Sequence, residues 1–223
     1  FGHCRDAVAA FAPHLVLRGG DETPSTARDY TEQESWDWGL AYHEENAAIN
    51  DIAASVWMRG NHDDVDGFGG DSYTPTDTNT RLLFMLNPNG ETATEQYGTF
   101  SNGVANIVFT ETISESGYNV QVSNEQRDMS STQLALHTTT IANNTKPWLI
   151  VCNHDTLGLG YYGWMGGDQR IQSGEQSETI HNALVDHIKA NPSLVGAIVL
   201  TGHTHRFAHY VRDDVHYITG VTA

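Results

Sequence analysis

The stretch Arg59-Gly60-Asn61-His62-Asp63 follows the apolar run Ala53-Ala54-Ser55-Val56-Trp57-Met58 and precedes a loop rich in Gly and Asp. An apolar run that stops at a polar turn reads as a buried strand. Its C-terminal end is where open α/β sheets carry their reactive groups. The side chains suit that position. Asn offers a carbonyl oxygen to a cation, His exchanges a proton near neutral pH, and Asp can fix the tautomer of an imidazole.

Three other segments repeat the arrangement. The strand expected at His14-Leu15-Val16-Leu17-Arg18 runs into Gly19-Gly20-Asp21. Trp148-Leu149-Ile150-Val151-Cys152 runs into Asn153-His154-Asp155, and Leu194 to Leu200 runs into Gly202-His203-Thr204-His205. Helices are expected between them. One covers residues 4–11, with Ala7, Val8, Ala10 and Phe11 on its apolar side and Pro13 as its stop. A second runs from Tyr30 to about Ala48. A third covers Ser130 to Asn143, with Leu134, Leu136 and Ile141 on its buried side. The last covers Glu175 to Ala190, with Ile180, Leu184, Val185 and Ile188 at helical spacing. Residues 81–121 change character: Leu82–Met85, Tyr97–Phe100 and Asn106–Thr110 read as a meander of short strands turning at Asn87-Pro88-Asn89-Gly90 and Asn102-Gly103, a second set beside the first. No linker, repeat or low-complexity tract divides the chain, so residues 1–223 are read as one domain.

Composition narrows the function. The chain has 223 residues, 39% hydrophobic, which is enough for a full-sized core. Net charge is −17, and Lys146 and Lys189 are the only lysines. So negative a surface argues against an extended nucleic-acid interface or an anionic membrane, yet it accepts a small phosphorylated substrate where bound cations reverse the local sign. No apolar run reaches the ~20 residues that span a bilayer. No charged-then-apolar leader stands at residue 1, so targeting information is expected to be absent or removed, with an extracellular or periplasmic setting favoured. Cys4 and Cys152 are too few for a disulfide framework and are expected as buried or free thiols. The oligomeric state is left open.

The four strand ends carry Asp21, Asn61-His62-Asp63, His154 and His203/His205. In a sheet with helical crossovers, parallel strands end along one edge, so these groups can converge. Each has an ordinary explanation alone, as a turn or a hydrogen-bonded histidine. Together, imidazoles, carboxylate and amide oxygen suit Mn, Fe or Zn. Asp21 is the candidate for bridging two ions ~3.5–4 Å apart. His203 and His205, two apart in extended chain, would face the same side. Tyr161, Tyr162 and Trp164 could stack on an aromatic leaving group or simply pack their loop. Asp64, Asp66 and Asp71 lack the spacing of a calcium loop.

The ordered set Gly20-Asp21, Gly60-Asn61-His62-Asp63, Val151-Cys152-Asn153-His154 and Gly202-His203-Thr204-His205 resembles the calcineurin-like metallophosphoesterase superfamily over nearly the whole chain. The resemblance implies a four-layer αββα sandwich with two mixed β-sheets and a dinuclear site for two divalent or trivalent ions. By that likeness Asp21 bridges both ions, Asn61, His154 and His203 complete one site, and His205 belongs to the other. His62 would contact the phosphoryl group or protonate the leaving oxygen, oriented by Asp63. The implied reaction is attack on a phosphate ester by a hydroxide held between the ions, without a covalent enzyme intermediate.

The chain departs from the family pattern in three places. The Asp-x-His motif that normally opens the family is missing before Phe1-Gly2-His3-Cys4, so the given sequence is expected to start just past it and to lack its first strand and C-terminal strands. Pro24 stands where purple acid phosphatases carry a tyrosine, which disfavours the coloured ferric subclass, and Asp155 stands where relatives often carry a second histidine. The alternative reading keeps the fold as a binding or structural module of a larger assembly, with an incomplete metal site.

Overall fold

In the strand Trp148–Asn153, burial alternates over the first four residues and is then continuous through Cys152 and Asn153, while strict alternation runs through Gly196–Thr201 beside it. A strand covered on both sides must be apolar at every position, which is why both read as continuous hydrophobic runs. The structure is a computed structural model that describes residues 2–13, 15–18, 53–57, 98–109, 120–123, 126–154, 157, 171–172, 174–202 and 207–220.

The described helices are α1 (Gly2–Phe11), α2 (Ser131–Ala142) and α3 (Gly174–Ala190). The strands are β1 (Leu15–Arg18), β2 (Ala54–Trp57), β3 (Gly98–Ser101), β4 (Ala105–Phe109), β5 (Val120–Ser123), β6 (Gln126–Asp128), β7 (Trp148–Asn153), β8 (Ile171–Gln172), β9 (Gly196–Thr201), β10 (Ala208–Arg212) and β11 (Val215–Thr219). Six of them form one sheet in the order β10-β11-β9-β7-β4-β3. Its inner strands β4, β7, β9 and β11 are mutually parallel, while β3 and β10 are antiparallel edges. β1 and β2 pair in parallel, and β5, β6 and β8 form a third small sheet.

One face of the six-stranded sheet is covered by α2 and α3. Val108, Leu149, Val151, Ala197, Val199, Val215 and Tyr217 pack there with Ile141, Ile180 and Leu184. The other face sends Ala105, Ile107 and Cys152 against Leu15 and Leu17 of β1. Helices, sheet and the β1–β2 pair thus touch through two separate apolar clusters. Burial on this scale is the main stabilising term, at roughly 25 cal/mol per Å² of apolar surface.

The helix ends have local causes. Ser130 caps α2 by accepting a hydrogen bond from the Gln133 amide at 3.2 Å. α1 closes with the Ala12 amide donating to Val8 at 2.9 Å, and Ala12 takes a left-handed φ of 44° immediately before Pro13. The Gln176 side chain clips α3 to the approach of α2, accepting from the Met129 amide at 2.9 Å and donating to its carbonyl at 3.0 Å.

Several expectations are corrected. Phe11 is 85% exposed, so it does not belong to a buried side of α1. In α2 the fully buried positions are Gln133, His137 and Ile141, one stripe at i, i+4, i+8, with Leu134 and Leu136 only partly buried beside it. The strand placed at Leu194 begins at Gly196, and Val195 is exposed. β3 and β4 do not form a set of their own; β4 pairs with β7 and extends the sheet containing β9. The first two apolar strands pair with each other instead of joining that sheet. The helix expected at 30–48 and the strand at 82–85 lie outside the described residues. No described helix is long and apolar enough to cross a membrane.

Candidate functional site

Because β4, β7, β9 and β11 run in parallel, their last residues share one edge. The last row of that edge turns polar: Asn153 of β7 lies beside Thr201 of β9, which lies beside Thr219 of β11. All three are buried. Thr201 and Thr219 share a hydroxyl–hydroxyl hydrogen bond of 2.9 Å, and the Gly220 amide donates to the Thr201 carbonyl at 2.8 Å. The paired Thr201 and Thr219 hydroxyls thus offset the cost of burying polar groups in this last row.

His154 follows directly. It is 1% exposed, and its carbonyl accepts from the Gly202 amide at 3.0 Å. That bond prolongs the β7–β9 ladder by one step beyond the strands. It ties the histidine to the residue that precedes His203. In β7 the even positions Trp148, Ile150 and Cys152 pack in the cluster that holds β1, and His154 is the next even position. β1 and β2 also end in register, Arg18 beside Trp57, three residues before Asp21 and four before Asn61. The strand ends that carry the sequence motifs are therefore brought together in two pairs: those before Asp21 and Asn61, and those at His154 and before His203.

Of the candidate residues, His154 is described and sits at this buried edge. Asp21, Asn61, His62, Asp63, His203 and His205 lie outside the described residues, as do Tyr161, Tyr162, Trp164, Pro24, Asp155, Asp64, Asp66 and Asp71. Among the described residues no group of three or more His, Cys, Asp or Glu side chains could hold a metal. Cys152, next to Asn153, is a free buried thiol whose pKa burial pushes up to about 12, which makes it packing material and not a nucleophile.

Several polar groups lie buried inside the helical layer, among them the histidines His137, His181 and His187, which are read from the sequence only as structural or exposed. His137 and Gln133 are fully buried, and their side-chain nitrogens and oxygen find no hydrogen-bond partner. Burial drops the His137 imidazole from 6.5 to about 3, so it is neutral at ordinary pH. His181 of α3 meets the Tyr217 hydroxyl at 2.6 Å and the Asp213 carboxylate at 3.0 Å. His187 is held between Asn144 and Asn191, and burial lowers its pKa. These contacts tie α3 to its surroundings from the helical side of the sheet. No period-3.6 pattern could have found them, since they are polar residues at core positions.

The calcineurin-like phosphoesterase family model matches residues 3–207, a span that contains every candidate residue of the four strand ends. No curated protein sequence matches the chain. Among solved structures, PhoD superposes with a TM-score of 0.62 at 13% identity, over 98% of this chain and 53% of that one. GAP50, the anchor in the inner membrane complex of Plasmodium, gives 0.47 at 12% identity, over 98% of this chain and 64% of its own. The chain thus spans about half the length of the PhoD chain, whose likeness shows a shared fold. From its strand-end motifs and the family model that covers them, the chain belongs to the calcineurin-like phosphoesterase family.

Proposed function

We propose that this chain hydrolyses a phosphate ester of a small molecule at a site for two metal ions. The observation that carries the reading is the end of β7, where buried His154 is bonded through its carbonyl to Gly202, so that an imidazole and the start of Gly202-His203-Thr204-His205 leave the sheet side by side. The donor chemistry fits: imidazole nitrogens from His154, His203 and His205, a carboxylate from Asp21 and an amide oxygen from Asn61 match Mn, Fe or Zn. When bound, such ions polarise phosphoryl oxygens and make a nucleophile available near neutral pH. In this reading Asp21 would serve both ions, Asn61, His154 and His203 would hold one, and His205 would hold the other.

His62 supplies what the ligands cannot. It offers a proton to the departing oxygen or a hydrogen bond to the phosphoryl group, and Asp63 holds its ring in the required tautomer. The architecture we propose is the four-layer sandwich. Its support is the contact of the helices, the six-stranded sheet and the β1–β2 pair through two apolar clusters.

Elemental analysis of the full-length protein, with Mn²⁺-supplemented assays on an aryl phosphate and an aryl phosphodiester, tests the proposal. We expect two ions per chain and hydrolysis of at least one ester. Asp21→Asn should deplete both ions. His154→Ala should lower metal content and cut turnover by about 100-fold or more, and His62→Ala should cut turnover while sparing metal. A metal-free, inactive protein would refute the enzyme and leave a binding module on the same fold. Normal metal content in Asp21→Asn would reject the bridge.

A further inference from the structure

The outer hairpin β10–β11 carries two imidazoles that belong to none of the strand-end motifs. His209 lies opposite Ile218 and His216 opposite Val211, so the two histidines sit at diagonal positions on neighbouring strands. Side chains of this reach can touch across that diagonal. His209 Nε2 and His216 Nδ1 are 3.1 Å apart, and the nearly parallel rings have centroids 5.4 Å apart. Tyr210 and Tyr217, which alternate with them, stack on each other on the helix-covered face. The histidines therefore occupy the opposite face, where both are exposed.

We propose that His209 and His216 chelate a divalent transition metal such as Zn²⁺, Ni²⁺ or Cu²⁺, at a site that uses none of the strand-end residues. The spacing argues first. Two nitrogens, each ~2.0–2.1 Å from a cation, stand about 3.3 Å apart at a tetrahedral angle and about 2.9 Å apart at a right angle. The observed 3.1 Å lies between these values.

The proton inventory also allows it. Without a metal, one facing nitrogen carries a hydrogen that points at the lone pair of the other. If each neutral ring keeps its hydrogen on the outward nitrogen, Nδ1 of His209 and Nε2 of His216, both facing nitrogens present lone pairs. The cation then replaces the shared hydrogen without net loss of a proton. The electrostatic setting is favourable too. The chain carries −17 overall, and Asp214 stands at the hairpin tip two residues before His216, while Asp213 is engaged with His181 and Arg212. Water or an incoming anionic ligand fills the remaining coordination positions.

The test is a calorimetric titration of the full-length protein with Zn²⁺ and Cu²⁺, comparing wild type with His209→Ala and His216→Ala. Apart from ions taken up by the strand-end site, we expect one further binding event that either substitution weakens by roughly tenfold or more, because the second imidazole no longer acts at the high effective concentration set by the hairpin. The paramagnetic resonance of that Cu²⁺ equivalent should show two coupled nitrogens in wild type and one in each variant. Both positions are exposed, and unchanged circular dichroism would confirm folding. Equal stoichiometry and affinity in wild type and either variant would overturn the proposal. Neither readout involves turnover, and Asp21→Asn should leave this event intact, so the result is independent of the phosphoesterase reading.

Discussion

Replacing His137 by Leu should make the protein markedly less sensitive to acid. The imidazole is wholly buried, and burial alone takes its pKa from 6.5 to about 3. Below pH 6.5 the unfolded chain takes up a proton that the native state refuses, so wild-type stability falls as pH drops from about 6.5 towards 3. The slope approaches ~1.4 kcal/mol per pH unit. This single group should cost about 0.2 kcal/mol at pH 7 and about 2 kcal/mol at pH 5. The assay is urea unfolding of wild type and His137→Leu at both pH values. All other titrating groups are common to the two proteins and cancel in the difference. We expect the variant to gain about 2 kcal/mol on wild type between pH 7 and pH 5. At pH 7 it should be neutral or stabilising, because no partner of the imidazole nitrogens is lost. A difference that stays constant between the two pH values would refute the claim that the native state excludes the charged ring.

Gly196→Ala should destabilise by roughly 1–3 kcal/mol in the same assay, since its Cβ would come within 2.7 Å of the Trp148 ring, which packs in the core on the neighbouring strand. The Arg212–Glu178 pair has two well-formed contacts of 2.8 and 3.1 Å, but both side chains are partly exposed, so a double-mutant cycle should return no more than about 1 kcal/mol, shrinking with added salt. Cys152 should resist thiol reagents at pH 8 in the native protein and react at the full rate in urea, since burial holds its pKa at about 12; rapid native labelling of Cys152 would contradict that burial.

The strands Trp148–Asn153 and Gly196–Thr201, which end at the polar edge, were readable because each appears as an apolar run that a polar turn must terminate. What escaped was burial that runs against residue type. α2 was visible from its spacing, yet Gln133 and His137 hold the buried stripe that Leu134 and Leu136 were expected to fill. β5, β6 and β8 are two to four residues long and largely polar, too short for a period to register. The β10–β11 hairpin did carry a signal, alternation on both sides of Asp213-Asp214. Its turn uses two aspartates with φ of 49° and 63° in place of a glycine pair. Within the site, His154 was legible as a histidine at the end of an apolar strand. Its bond to Gly202 was not, because strand order across the sheet is a tertiary property.

The six-stranded sheet has one more consequence, which concerns how the chain acquires it. β4, β7, β9 and β11 lie next to one another in the order in which a ribosome would make them, with α2 and α3 laid on the same side as the strands advance. Each newly emerged strand therefore finds its template already in place one position away, and loop-closure cost grows only slowly with the length of the excursion before it docks. Growth from one flank gives vectorial synthesis a direct route to this topology. The rim bearing Asn153, Thr201 and Thr219 would be completed by the last of these strands to leave the exit tunnel.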